Sequence, residues 1–214
     1  LIADADTGFG EEEMIRRTVL EYNFAGAAGL HLEDQVFPKR CGHLDGKELV
    51  SVEQMVSKVQ WAAKASEDYS DGAFMICART DAKGVDGFDA AVERAKAYVE
   101  AGASMIFPEG LTSEQEFADF AKAMDAMGDK RPYLLANMTE FGKTPMLTLD
   151  QFGAMGYNIV IYPVSTLRIA MGAVARALAE LKQTGTLEGQ LGNMQTRQEL
   201  YDLVGYTPGT PWEM

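Results

Sequence analysis

The six residues from Pro38 to His43, PKRCGH, gather two fixed cations, a thiol, a glycine and an imidazole in a chain whose formal net charge is −13. Cationic neighbours favour thiolate over thiol at Cys41. Arg40 offers a planar, two-pronged clamp for a carboxylate, and Lys39 a mobile point charge. Such a loop suits gripping a carboxylate and exchanging a proton with the carbon beside it. A solvated basic turn with an incidental cysteine has the same composition, so both readings stand at this point. Cys77, inside MICAR, reads as a small buried hydrophobe, and His31, inside an apolar run, as a core or rim histidine with no assigned role.

A second group is acidic. Asp4 and Asp6 stand two apart in DADTG and point the same way in extended chain, while Glu33 closes the run GLHLE. Hard carboxylate oxygens with no histidine among them suit Mg²⁺ or Mn²⁺ rather than zinc. The alternative is that these acids cap the helices or turns that follow. Arg79 ends the run ICAR and needs an anion, which is Asp81, Glu109 or a substrate. Arg168 in STLR and Arg197 in MQTRQEL read as helix-surface arginines with ordinary ion pairs.

The elements that position these groups follow from periodicity. Apolar runs without polar alternation recur at 1–4, 29–33, 73–78, 104–108, 133–137 and 158–163, as parallel strands covered on both faces should. Helical patterns lie between them; in GFDAAVERAKAYVEAG, Phe88, Val92, Ala95 and Val99 share a face and Gly102 closes the end. Strand starts are spaced by about 25–30 residues, apart from one interval of about 45 that contains PKRCGH. The pattern is a βα repeat. No glycine-rich dinucleotide fingerprint is present, since DTGFG has one glycine too few. The choice lies between a doubly wound sheet and a (β/α)8 barrel lacking its first two strands. In either, ligands bind at the carboxyl ends of the strands.

Composition bounds the rest. With 214 residues, 47% of them hydrophobic, the chain can bury a sizeable core and reads as one domain, 1–214, with a C-terminal helical segment from about 165. The net negative charge repels nucleic-acid phosphates and anionic membranes, so neither is an expected partner. The apolar runs fall short of the roughly 20 residues that span a bilayer. Two cysteines, far apart, suit free thiols in a reducing compartment. Leu1 already belongs to a strand-like run, so this N-terminus reads as a cut. The cytoplasm is the expected location, and a mitochondrial address stays open because residues upstream of Leu1 are not seen.

Taken together, DADTGFG, LHLEDQVFPKRCGH, ARTDA, FPEG and LANMTEFGKTP resemble the isocitrate lyase and phosphoenolpyruvate mutase superfamily, most closely its 2-methylisocitrate lyases. The resemblance runs over essentially the whole chain, including MQTRQELY, and KRCGH is its most specific element. It implies a (β/α)8 barrel with Mg²⁺, a small carboxylate substrate, and a homotetramer that exchanges C-terminal helices. It also implies that Asp4 and Asp6 are metal ligands, with Glu33 acting through water. Cys41 becomes the catalytic thiol, supported by Arg40 and His43. Gly42, Arg79, Glu109, Asn137, Met138, Thr139, Arg168 and Arg197 fall where similar enzymes hold substrate, and Phe107 and Pro163 resemble a pocket with room for an added methyl. The implied reaction cleaves 2-methylisocitrate to pyruvate and succinate. Carboxyphosphonoenolpyruvate mutase, dimethylmalate lyase and oxaloacetate hydrolase chemistries are the alternatives, and a noncatalytic truncated barrel is a third.

Overall fold

A computed structural model describes residues 1–210. Its six strands pair in parallel and in chain order: β1 (Ile2–Asp4), β2 (Gly29–Glu33), β3 (Met75–Thr80), β4 (Met105–Pro108), β5 (Tyr133–Asn137) and β6 (Ile159–Ile161). The chain returns through α1 (Glu12–Phe24), α2 (Val52–Ser70), α3 (Phe88–Glu100), α4 (Glu114–Asp125) and α5 (Leu149–Ala154). Because parallel strands need such crossovers, every strand ends at the same rim. These are the six runs read from the sequence, two of them unchanged, two shortened by their first residue, the sixth trimmed at both ends to 159–161, and the third displaced. The third run, read as 73–78, becomes 75–80, since its pairing with β2 continues through Glu33 opposite Arg79. Arg79 thereby lies inside the strand rather than at its end.

Alternation along the strands sorts side chains into two layers. Leu30, Leu32, Ile76, Ala78, Ile106, Leu134 and Ala136 join Ile15 and Val19 of α1, and Met55 and Val59 of α2, on the helix side. Cys77, Met105, Phe107 and Leu135 form a separate inner layer, against which Ile2, Met75, Ile159 and Ile161 pack. Ile2, His31, Leu135 and Ile159, from β1, β2, β5 and β6, line one cavity of about 360 Å³. Strands at the two ends of the sheet reach a common cavity only if the sheet curls, and its shape is a half-barrel. Full burial drives the Cys77 thiol upward in pKa, as expected of a packing residue.

The helices obey their sequence signals. In α3, Ala91, Val92, Ala95 and Tyr98 are buried on one face. Ser51 and Gln54 form a reciprocal capping box at the start of α2, a device worth about 1 kcal/mol. This cap fixes where the long connection carrying PKRCGH ends.

The chain divides into two compact units, Leu1–Pro163 and a second beginning at Val164. The second contains α6 (Ser165–Thr184) and α7 (Arg197–Val204). α6 has no buried side chain, and its Leu167, Ile169, Met171, Val174, Leu178 and Leu181 are exposed. Among the described residues no helix is long and apolar enough to cross a membrane.

Candidate active site

Strand β2 ends in Glu33 and β5 in Asn137, Arg79 is the penultimate residue of β3, and Glu109 directly follows β4; together they meet at the rim. Arg79 is central. Its Nε lies 3.2 Å from Glu33 Oε2 and 2.9 Å from Asp81 Oδ2, and its Nη1 3.5 Å from Glu109 Oε2. Its guanidinium also lies over the Phe107 ring, 5.1 Å from the centroid. Burial opposes the charge, but Asp81 and Glu109 outweigh it and raise the Arg79 pKa. Arg79 therefore stays cationic and pairs with the acids. Asn137 Nδ2 donates to Glu109 Oε2 at 3.1 Å, which leaves the buried Asn137 Oδ1 without a partner.

The connection after β2 folds onto this cluster. Gln35 holds both backbone polar groups of Arg40, accepting from its N–H at 2.9 Å and donating to its carbonyl at 2.8 Å. Gly42 is buried against Glu109: a Cβ there would lie 2.2 Å from Glu109 Cγ and 2.9 Å from Arg79 Nη2. Only glycine lets the loop settle this closely. His43 Nε2 then faces Glu109 Oε1 at 3.5 Å, and Cys41, the residue before Gly42, is exposed. Forcing a methyl into this contact costs about 1–3 kcal/mol. Gly42→Ala is therefore expected to lift the loop and speed tryptic cleavage after Lys39 and Arg40 by about 10- to 100-fold. Cleavage at the parent rate would show that Glu109 gives way and the fit is loose.

Other residues of the reading fall elsewhere. The Arg40 guanidinium turns outward, donating to the Asp45 carbonyl at 3.4 Å, because Gln35 fixes its backbone and Gly42 occupies the space over Glu109. Thr139 is buried with its Cγ2 next to Gly142. The Met138 side chain points away from the rim into the helix-side layer, where its Sδ accepts from the Leu147 N–H. Arg168 and Arg197 belong to the second unit, exposed in the first turns of α6 and α7.

The acidic group lies along the same rim. Asp6 takes a left-handed conformation, φ +47°, which aspartate tolerates, and its N–H donates to Asp4 Oδ1 at 2.9 Å. Lys39 Nζ stands between Asp6 Oδ1 at 3.0 Å and Glu33 Oε2 at 3.5 Å. Burial raises the Glu33 pKa to about 7, in spite of Arg79 and Lys39, and Glu33 Oε1 is buried with no partner. Burial also lowers the pKa of His31, whose Nε2 lies 3.8 Å from Asp4 Oδ1. Among the described residues no three His, Cys, Asp or Glu side chains already converge as a metal cage. The donor set still fits a hard cation: it is all oxygen, one oxygen is orphaned, and an ammonium sits between two of the three carboxylates.

The raised Glu33 pKa fixes the sign of a pH effect. The folded chain holds this proton up to about pH 7, whereas the unfolded chain releases it near 4.5. Between those values the native state binds more protons, so this group's contribution to stability falls as pH rises. The fall is on the order of 3 kcal/mol. Glu33→Gln keeps the shape without a charge to bury, and urea midpoints measured from pH 4.5 to 7 should decline less steeply in it. Parallel slopes in the two proteins would remove Glu33 as the source.

Asp34 and Asp81, adjacent acids at the same strand ends, do different work. Asp34 is fully buried and accepts from Thr80 Oγ1 and Tyr98 Oη at 2.8 Å, from the Asp81 N–H at 2.9 Å and from Arg94 Nη1 at 3.3 Å. It ties the ends of β2 and β3 to α3. Asp81 in turn holds Arg79 at two points, 2.9 and 3.2 Å. The Asp81 partner of Arg79 was among those read from the sequence; the Asp34 tie, and the pairing of Lys39 with two rim acids, were not. The signal for the first was the polar pair Thr80–Asp81 at the end of a buried strand.

A curled sheet of parallel strands with ionisable side chains at its carboxyl rim is the architecture of the (β/α) barrels, and the chain belongs to the phosphoenolpyruvate phosphomutase family, whose profile matches residues 1–182. Among curated proteins it is 58% identical over 207 residues to a probable 2-methylisocitrate lyase 1 of Corynebacterium glutamicum, covering 96% of this chain and 65% of that protein. Among solved structures, 2,3-dimethylmalate lyase, a PEP mutase/isocitrate lyase superfamily member, aligns with a TM-score of 0.83 and 36% identity over 95% of this chain and 65% of that one. A phosphonopyruvate hydrolase complex with oxalate and Mg²⁺ aligns with a TM-score of 0.79 and 31% identity, covering 96% and 68%. The chain thus spans about two thirds of the length of the proteins it matches.

Proposed function

We propose that the protein is a Mg²⁺-dependent carbon–carbon lyase, acting in the cytoplasm, that cleaves 2-methylisocitrate to pyruvate and succinate. The observation that carries this reading is the division of the rim. Asp4, Asp6 and Glu33 offer oxygens for a cation, while Arg79, His43 and Asn137 gather around Glu109, and the loop that brings His43 there also carries the exposed Cys41. The identity to 2-methylisocitrate lyases supports it, and the Mg²⁺ complex of the related hydrolase supports the choice of ion.

Cleavage passes the proton of the substrate hydroxyl to a base, turns that C–O bond into a carbonyl, and breaks the bond between the hydroxyl-bearing carbon and its neighbour. The first fragment leaves as a keto acid, and the electron pair stays on the second as the aci-form of succinate. Asp4, Asp6 and Glu33 would hold Mg²⁺, which when bound supplies Lewis acidity at the oxygen of the nascent keto acid. Arg79 and His43 offset the charge growing on the succinate fragment, with Arg40 able to join them if its side chain swings inward. Cys41 gives its proton to carbon. Gly42 keeps the loop close, and Asn137, Thr139 and Met138 through its backbone complete the substrate contacts of this unit. We also assign the exposed apolar residues of α6 to helix exchange in a homotetramer.

Pyruvate release from 2-methylisocitrate, followed with and without Mg²⁺, tests the reading against 2,3-dimethylmalate, oxaloacetate and carboxyphosphonoenolpyruvate. Preference for one of those three moves the assignment to that chemistry, and no turnover of any leaves a noncatalytic barrel. Asp4→Ala is expected to abolish most Mg²⁺-dependent turnover, because a reluctantly dehydrated ion has few anionic contacts to lose. Full activity of that variant in EDTA would sink the metal assignment.

A further inference from the structure

Lys47, on the connection between β2 and α2, is a buried cation that the proposed chemistry does not use. It is 8% exposed, and its ammonium donates to the backbone carbonyls of Gly42 at 2.5 Å and Leu44 at 2.7 Å. Its Nζ also packs at Gly84 on the connection after β3, where a Cβ would approach to 3.1 Å. Burying an ammonium on neutral carbonyls is costly, so its placement needs a reason. The two carbonyls belong to the residues on either side of His43. Binding both fixes the backbone that aims the imidazole.

From the opposite side, the backbone N–H of Lys143, on the connection after β5, donates to His43 Nδ1 at 3.2 Å. Gly142 makes room for the ring, since a Cβ there would lie 2.8 Å from both Nδ1 and Cε1. A ring nitrogen that accepts a hydrogen bond carries no proton, so neutral His43 holds its proton on Nε2. That nitrogen faces Glu109 Oε1 at 3.5 Å, and it is buried without a closer partner. We propose that Lys47 is a positioning residue which, with the Lys143 amide, holds His43 in one place and in its Nε2–H tautomer, directed at Glu109 and the substrate side of the rim. The use of His43 rests on the lyase reading, whereas its placement does not.

The chain has only two histidines, so long-range ¹H–¹⁵N spectra of the imidazoles, assigned with a His31→Gln variant, report on His43 directly and need no substrate. The folded wild type should show His43 as the Nε2–H tautomer. An Nδ1–H form or a mixture overturns the proposal, whatever the variants do. Lys47→Met should mix the His43 tautomers while the His31 signals stay in place, and Lys47→Arg, which keeps charge and donors, should retain the single tautomer. If Lys47→Met folds and the His43 spectrum is unchanged, Lys47 is not the positioning residue; if it does not fold, the Lys47→Arg spectrum decides. In the turnover assay Lys47→Met should lower kcat by on the order of 10²-fold with KM changed far less, the signature of a misplaced group. Absence of pyruvate release from the wild type would defeat the lyase reading and leave the spectra untouched.

Discussion

Replacing Arg79 by methionine is expected to destabilise the fold by about 3–5 kcal/mol at neutral pH, the usual result of breaking a buried charge network on one side. Methionine keeps much of the length and the contact with Phe107. It leaves Asp81, Glu33 and Glu109, at 2.9, 3.2 and 3.5 Å from the lost guanidinium, without that cation. Urea denaturation measures the loss. Its pH dependence has a definite sign: Arg79 is one of the charges that hold the Glu33 pKa down, so without it Glu33 binds its proton more tightly in the folded state, and the deficit is largest near neutrality and shrinks as pH falls. A deficit below about 1 kcal/mol, the value of an exposed pair, would show that solvent already screens the cluster. Arg79→Lys is not a conservative test, since a single ammonium cannot replace the two bonds to Asp81 at 2.9 and 3.2 Å.

The other large effect belongs to Cys41. Cys41→Ser preserves approximate size, but a hydroxyl holds its proton far more tightly than a thiol does. Under the proposed chemistry kcat should fall by about 10²–10⁴-fold, the usual range for a positioned acid, equivalent to roughly 3–5 kcal/mol of barrier. Binding should survive, because the acidic group and the Arg79 cluster are built from other strands and Cys41 itself is exposed at the loop surface. Turnover, Mg²⁺-dependent pyruvate affinity and solvent deuterium entry into succinate, measured on one variant, separate these links. Retained turnover removes Cys41 from the mechanism. Lost pyruvate affinity makes its role structural.

The strands and the rim they build were legible for one physical reason. A parallel strand buried on both faces must be apolar, so the first polar residues after each run mark where the sheet stops. Glu33, Arg79, Glu109 and Asn137 were found in this way. The error at β3 came from the same rule, since Arg79 and Thr80 are polar yet remain paired in the sheet, Thr80 opposite Pro108. Loop geometry was not legible, because it depends on partners distant in sequence. Nothing near Arg40 announces that Gln35 grips its backbone from five residues away, or that its guanidinium faces outward. Met138 was placed by motif at the rim, but strand alternation sends its side chain to the helices. The tie between Lys143 and His43 spans 100 residues and has no local signal at all.

The two layers of the half-barrel give each strand something like a reading frame. In β3, Cys77 faces the inner layer while Ile76 and Ala78 face the helices, and Arg79 continues the inward series to the rim. Removing one residue from the middle of that strand would turn the guanidinium toward the apolar helix faces and present a hydrophobe to Glu109, so fold and site would fail together. The connections carry no such frame. Length changes compatible with this site are therefore confined to the segments between elements, and within a strand they are tolerated only in twos.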